Sequence, residues 1–223
     1  MLVALSAIAS SQSSPTEETM EKVKYFLDYA ASHPDAILTY SASDMKLSVH
    51  SDALYLTEPK ARSRAGGHFY MTTNEYNLPN NGAFLTVSQI IKNVMMSAAD
   101  AEIGALFINT RHAIPTINTL QEMGHPQPPT PMKTDNTTAL GFVTNNLQPK
   151  ATKSTDMQHW FMRNRQYQLQ FKYYWGSGEF NEGYYQTKHL CSAHHIEKRP
   201  IYLTPRSVLD ALRTSLVQEP HRY

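Results

Sequence analysis

The sequence predicts an α/β fold whose sheet is part antiparallel and part parallel. Three observations predict it. Strand-like segments follow one another at about 45–56, 67–73 and 83–90 with short links, a long helical pattern covers 91–122, and two later strand segments, 132–135 and 170–175, alternate with helical ones. The order β-β-β-α-β-α-α-β-α makes the first three strands a meander, while strands separated by helices pair in parallel.

Each element has a local reason. Residues 1–10 (MLVALSAIAS) lack the positive n-region of a signal peptide and read as the end of a helix from a larger parent chain. Ser14-Pro15-Thr16-Glu17 opens a helix, with Ser14 as N-cap and Pro15 at the first helical position. Met20, Val23, Phe26, Leu27, Ala30 and Ala31 recur at helical spacing, so the helix spans 15–32, and His33-Pro34 ends it. MKLSVHSDALYL (45–56) has the β-branched, partly alternating pattern of a strand, as do Gly67–Thr73 and Ala83–Ile90. Between the last two, NEYNLPNNG is mostly turn formers.

Residues 91–122 read as one helix with Pro115 a candidate interruption, its buried stripe being Ile91, Val94, Ala98, Ala101, Ala105 and Ile108. GHPQPPTP (124–131) is a Pro-rich linker, too short to be a domain boundary. Asn136 caps a helix after the strand Met132–Asp135, a polar helix spans about 154–168, and a strand follows at Gln170–Trp175. After the loop GSGEFNEG come a short helix near 182–190 and, opened by Ser207-Val-Leu-Asp210, a last helix to about 217. No internal repeat is present.

Composition narrows the function classes. At 223 residues, 41% apolar and 17% charged, the chain can bury a core, and its longest apolar run, Met1–Leu5, is far short of the ~20 residues that span a bilayer. The single cysteine, Cys191, excludes an internal disulfide and a four-cysteine zinc site. Net charge is +1, yet residues 1–58 hold three Lys/Arg against eight Asp/Glu and residues 136–206 hold nine against four. A basic C-terminal half can offer a phosphate-binding face; an ordinary solvated surface is the plainer reading of the same charges.

Three acids stand where solvated acids do not. Asp52 lies inside a strand, where Asp is disfavoured. Glu102 lies on the small-residue stripe of the long helix between Ala98 and Ala105, whereas Asp100, about 200° away, faces solvent. Asp135 closes a strand before a helix, at the carboxyl end where open α/β sheets place their sites. Like charges gathered in a half-buried site need cations, and oxygen-only ligands favour Mg²⁺ or Mn²⁺ over zinc. The alternative is that each acid serves only its own element.

At these residues the sequence resembles a known family. HSDALYLTEPKARSRAGGHFYM (50–71), NVMMSAADAEIGALF (93–107), GHPQPPTPMKTDNTTALG (124–141), STDMQHWFMRNR (154–165) and TKH (187–189) resemble, in order, successive segments of the ribonuclease H domain of copia-type LTR retrotransposon polyproteins. Residues 10–40 resemble the connection to the reverse transcriptase, so the resemblance implies a connection segment over 1–43, an RNase H-like domain over 44–200 and a helical tail over 201–223. It further implies a five-stranded mixed sheet flanked by helices, cleavage of the RNA strand of an RNA–DNA hybrid, two Mg²⁺ (or Mn²⁺) ions, and the reverse transcriptase region as partner. The expected location is cytoplasmic, in virus-like particles, with neither secretion nor a membrane. Asp52, Glu102 and Asp135 fall on the family's first three metal-holding acids.

The fourth acid departs from the pattern: four residues before Lys188 stands Tyr184, a poor Mg²⁺ ligand, and Glu182, the substitute within reach, sits two residues earlier and so on nearly the opposite side of a helix. Leu54 for Ser and Gln186 for Phe are further departures, the second at a cost in packing. An inactive nucleic-acid-binding remnant is therefore the alternative to an active ribonuclease. An integrase or transposase is disfavoured, because the second acid here sits on the helix directly after the third strand.

Candidate phosphate contacts are Lys60, Arg62 and Arg64 between the first two strands, and Arg163 and Arg165 after Trp160. Trp160 and Trp175 could stack on bases, though tryptophans in a folded domain are more often core. His189, Cys191, His194 and His195 have the residue types of a zinc site but no standard spacing. No Asp-Asp pair occurs, so the chain lacks the polymerase acid motif.

Overall fold

The computed structural model describes residues 1–34, 36–73, 81–144 and 153–188, with 190, 193, 204–205, 207–208 and 210 beyond them. The chain divides into two compact units, one of Met1, 3–41 and 190–223 and one of 42–189 with Leu2. The first holds α1 (Leu2–Ser10), α2 (Glu17–Ala31) and a two-stranded antiparallel pairing of β1 (Ala36–Ile37) with β7 (Thr204–Pro205). α2 starts later than predicted. Its N-cap is Thr16, not Ser14, because Thr16 and Thr19 exchange side-chain and backbone bonds of 3.2 Å in a capping box that leaves Pro15 outside the helix. Only some of its apolar stripe is covered: Val23, Phe26 and Ala30 are half-buried, while Met20, Leu27 and Ala31, about 90° round the helix, face solvent.

The second unit is a five-stranded mixed sheet flanked by helices, as expected. Its strands are β2 (Lys46–Glu58), β3 (Arg62–Thr72), β4 (Ala83–Ile90), β5 (Thr130–Thr134) and β6 (Phe171–Trp175), in the spatial order β4-β3-β2-β5-β6. β2, β3 and β4 form the antiparallel meander, and β5 and β6 add in parallel after α3 (Ala98–Glu122) and after α4 (Thr137–Thr144) with α5 (Lys153–Tyr167). β3 begins five residues earlier than predicted, because the β2–β3 turn is short, with Lys60 at φ 62° and Ala61 at φ 53°. Most of the turn-forming segment before β4 and nearly all of the predicted last helix lie outside the described residues.

α3 also starts later than predicted. Ser97 caps it by accepting from the Asp100 N–H at 3.1 Å, so Ile91 and Val94 belong to the preceding loop and Ala98 is exposed. Its buried face runs through Ala101, Glu102, Ala105, Asn109, Ala113, Ile117 and Leu120. Pro115 does not interrupt the helix: it lies on the exposed face, where the carbonyl it leaves free can take water. Asn136 caps α4 as predicted, its Oδ1 accepting from the Ala139 N–H at 2.9 Å. The main core lies between α3 and the sheet face formed by Leu47, Val49, Phe69 and Met132, extended by Phe171 and Tyr173.

Two adjacent glycines in β3 let both faces of the sheet be approached closely. A Cβ on Gly67 would lie 2.3 Å from Asn109 Oδ1 of α3, and one on Gly66, on the other face, would lie 2.5 Å from Thr187 Cγ2 and 2.7 Å from the Gly183 carbonyl. Gly66 and Gly67 pair with Asp52 and Ser51 of β2, so this thin region of the sheet is where the candidate site forms.

Candidate metal centre

Register brings the first and third acids together. The parallel β2–β5 ladder pairs Val49 with Met132 and His50 with Lys133, and two steps further along the same register stand Asp52 and Asp135, where the strands have stopped pairing. Glu102 reaches the same crevice from α3, its Oε1 accepting from the Ala53 N–H at 3.0 Å. One carboxylate oxygen from each of Asp52, Glu102 and Asp135 lies within 4.8 Å of the others. Asp52 and Glu102 are buried and Asp135 is half-buried.

Asp52 is held on one side. Its Oδ2 accepts from Thr187 Oγ1 and lies 3.6 Å from Lys188 Nζ. Thr187 and Lys188 follow a single-turn 3₁₀ helix, Glu182–Gln186, whose N-cap Asn181 donates to the Ser51 carbonyl at 2.8 Å. On α3, fully buried Asn109 donates to Ser51 Oγ at 2.9 Å and the Gly66 carbonyl at 2.8 Å. Trp175 Nε1 donates to the Asp135 carbonyl at 3.0 Å. Asn109, Asn181, Thr187 and Lys188 therefore position the acids, and none is singled out by residue type in the sequence. The available signals were the Gly66-Gly67 pair inside a strand and, for Thr187 and Lys188, the resemblance of the TKH segment.

The electrostatics are those of crowded acids. Burial pushes the Asp52 carboxyl up to about 6, with Lys188 and Thr187 opposing and Asp135 adding to the rise. Burial, then the charges of Asp52 and Asp135, push Glu102 up to about 9, against the Ala53 N–H and Lys188. Glu102 thus holds a proton at neutral pH unless a cation offsets its neighbours. Its Oε2 is buried without a hydrogen-bond partner. Three oxygen donors and an orphaned carboxylate oxygen suit a hard divalent cation such as Mg²⁺ or Mn²⁺.

Other predicted site residues lie elsewhere. Glu182 does not join the acids: its N–H donates to His50 Nδ1 at 3.1 Å and its charge acts on Lys133 and Tyr70. Because His50 Nδ1 accepts that bond, its Nε2–H faces the Tyr70 hydroxyl at 3.1 Å, and burial holds the ring well below its ordinary pKa. Tyr184 is half-buried with Lys188 Nζ 4.8 Å from its ring centre.

Arg64 is not a phosphate contact. It is fully buried in β3, its Nε 2.6 Å from Glu58 Oε1 and its Nη1 donating to Ser88 Oγ at 3.1 Å, because the strand begins at Arg62. Of the other candidates, Lys60 is exposed at the turn and Arg62 half-buried, Arg163 lies over Trp160, and Arg165 lies over Phe161 and donates to Gln170 at 3.1 Å. Trp160 and Trp175 are not core; they are 52% and 51% exposed. Gln186 is buried, and its carbonyl accepts from Ser88 Oγ at 2.7 Å. The His/Cys cluster beyond 188 lies outside the described residues. Among the described residues no helix is long and apolar enough to cross a membrane.

No family model and no curated protein matches the chain. Solved structures do. An RNase H1 isolated from compost by a metagenomic approach aligns at 10% identity and a TM-score of 0.47, over 64% of this chain and 93% of its own. The N-terminal RNase H domain of Rv2228c from Mycobacterium tuberculosis, solved as a fusion with maltose-binding protein, aligns at 12% and 0.39, over 61% of this chain and 86% of its own. The prototype foamy virus protease–reverse transcriptase aligns at 15% and 0.33, over 67% of this chain and 20% of its own. The fold of residues 42–189, on its own terms, is a five-stranded mixed sheet with its helices carried between the parallel strands.

Proposed function

We propose that this chain hydrolyses the RNA strand of RNA–DNA hybrids at a divalent-cation carboxylate site, as the ribonuclease H domain of a copia-type retrotransposon polyprotein. The observation that carries this reading is the convergence of Asp52, Glu102 and Asp135 in one crevice at the carboxyl ends of β2 and β5, with one oxygen of Glu102 unpartnered. These are the three acids that the family resemblance assigns to metal binding.

Asp52, Glu102 and Asp135 would hold the cation, whose chemistry is Lewis-acid activation of water and stabilisation of charge on the leaving oxygen. The chain's own residues orient the acids. Thr187 fixes the rotamer of Asp52, the Ala53 N–H fixes Glu102, and the Trp175 indole fixes the backbone of Asp135. Lys60, Arg62 and Arg163 are the remaining candidates for hybrid-backbone contacts, which weaken as salt rises. The reverse transcriptase region of the same polyprotein is the expected partner.

A second reading, an inactive hybrid-binding remnant, is favoured by one observation: a tyrosine, Tyr184, stands where the family carries its fourth acid. The test is cleavage of an end-labelled RNA–DNA hybrid in Mg²⁺ and in Mn²⁺, with Asp52→Asn as control. Cutting that disappears in the variant supports the ribonuclease. Hybrid binding without cutting supports the remnant, and neither cutting nor binding overturns both.

A further inference from the structure

We propose that the ammonium group of Lys188, seated on the Tyr184 ring that stands in place of the family's fourth acid, is the second cation of this site, so that the chain takes up a single divalent ion where the family takes two. The inference rests on the metal-binding reading above. A carboxylate that bridges two ions gives one oxygen to each. In Asp52 one of those oxygens is already engaged: Oδ2 accepts the Thr187 hydroxyl and lies 3.6 Å from Lys188 Nζ, which leaves Oδ1 for a metal.

Lys188 is held in that place. Its Nζ donates to the Ala53 carbonyl at 3.4 Å and lies 4.8 Å from the centre of the Tyr184 ring, a cation–π arrangement. The Tyr184 carbonyl in turn accepts the backbone N–H of Thr187 at 3.2 Å and that of Lys188 at 3.3 Å, so this turn orders both residues that engage Asp52. Where an acid would add a ligand, the ring instead seats an ammonium. Formal charge agrees. With Lys133 set against Glu182, three ionised carboxylates are balanced by one divalent ion and the Lys188 ammonium, and a second divalent ion would leave an uncompensated positive excess in a half-buried crevice.

The test is titration of the metal-free full-length chain with Mn²⁺, counting free ion by electron paramagnetic resonance, with Lys188→Met and Lys188→Arg alongside and folding checked by circular dichroism. One Mn²⁺ per chain is expected. Lys188→Met should tighten that ion about tenfold, since a like charge close to the site is removed, while Lys188→Arg keeps the original affinity. Two Mn²⁺ ions of similar affinity in the unaltered chain would overturn the inference and leave the metal-binding reading standing, as would a Lys188→Met affinity that is unchanged or weaker. Absence of Mn²⁺ binding by all three folded proteins would overturn both.

Discussion

Strand β2 buries two carboxylates six residues apart, Asp52 and Glu58, and the fold treats them in opposite ways. Glu58 meets its own cation: Arg64, across the hairpin, is fully buried against it and is tied on to Ser88 of β4. Asp52 meets two further acids, Glu102 and Asp135, opposed among the described residues by the partly exposed Lys188 and, at Asp135, by Lys133, which Glu182 shares. The first arrangement is compensated within the chain and holds three strands together. The second leaves negative charge over, which disfavours the folded state without a cation and makes the crevice a binding site.

Four predictions break or sharpen this contrast. The largest concerns Asp52 itself. Asp52→Asn should lower hybrid cleavage by roughly 10³-fold, about 4 kcal/mol of barrier, while raising the metal-free melting temperature because repulsion is relieved. Cleavage rates and thermal melts in EDTA read the two effects. At the other end of the strand the sign reverses. Arg64→Met should cost about 3 kcal/mol in urea denaturation, because Glu58 is left buried and unpaired, and should not change Mn²⁺ affinity.

Third comes pH. His68, lowered to about 4 by burial, and His50, lowered well below its ordinary value, are neutral in the fold. Unfolded histidine takes a proton near ~6.5, so their contribution is lost as pH falls from there towards 4. Asp52 and Glu102, raised to about 6 and about 9, act the other way: unfolded carboxyls ionise near ~4, so the stability they lend is lost as pH rises through the folded values. The metal-free melting temperature should therefore peak at mildly acidic pH and fall by roughly 5 °C on the alkaline side, and Mg²⁺ should flatten that alkaline fall alone. The smallest effect is expected from Trp175→Phe, which removes the indole N–H bond to the Asp135 carbonyl and should cost about 1 kcal/mol in urea denaturation.

Much of this was legible in the sequence. Asp52, Glu102 and Asp135 are visible there as acids out of place, because a strand interior, an apolar helical stripe and a strand end each normally reject a carboxylate. The basic residues were harder to read. Arg64 and Lys60 lie four positions apart in a stretch that looks like one basic loop, yet one is fully buried and the other exposed, since a short turn at 60–61 decides where β3 starts. The same shift in boundaries moved Ile91 and Val94 out of α3 and gave the cap of α2 to Thr16 instead of Ser14. Several sequence positions compete for each cap or turn, and energies of about 1 kcal/mol separate them.

The sequence alone determined the order of the strands and helices in the five-stranded unit, the Asn136 cap, the strand from Ala83 to Ile90 and the three acids, because alternation, helical spacing and capping chemistry are properties of neighbouring residues; the two-residue strands β1 and β7 were not predicted. Only the tertiary structure decided that Asp52 stands in register with Asp135, that adjacent glycines let Asn109 and Thr187 close in from opposite faces, and that Lys188 rests on Tyr184 beside Asp52. Those contacts join residues up to 135 positions apart, and strand register and close packing, which no local pattern encodes, bring them together.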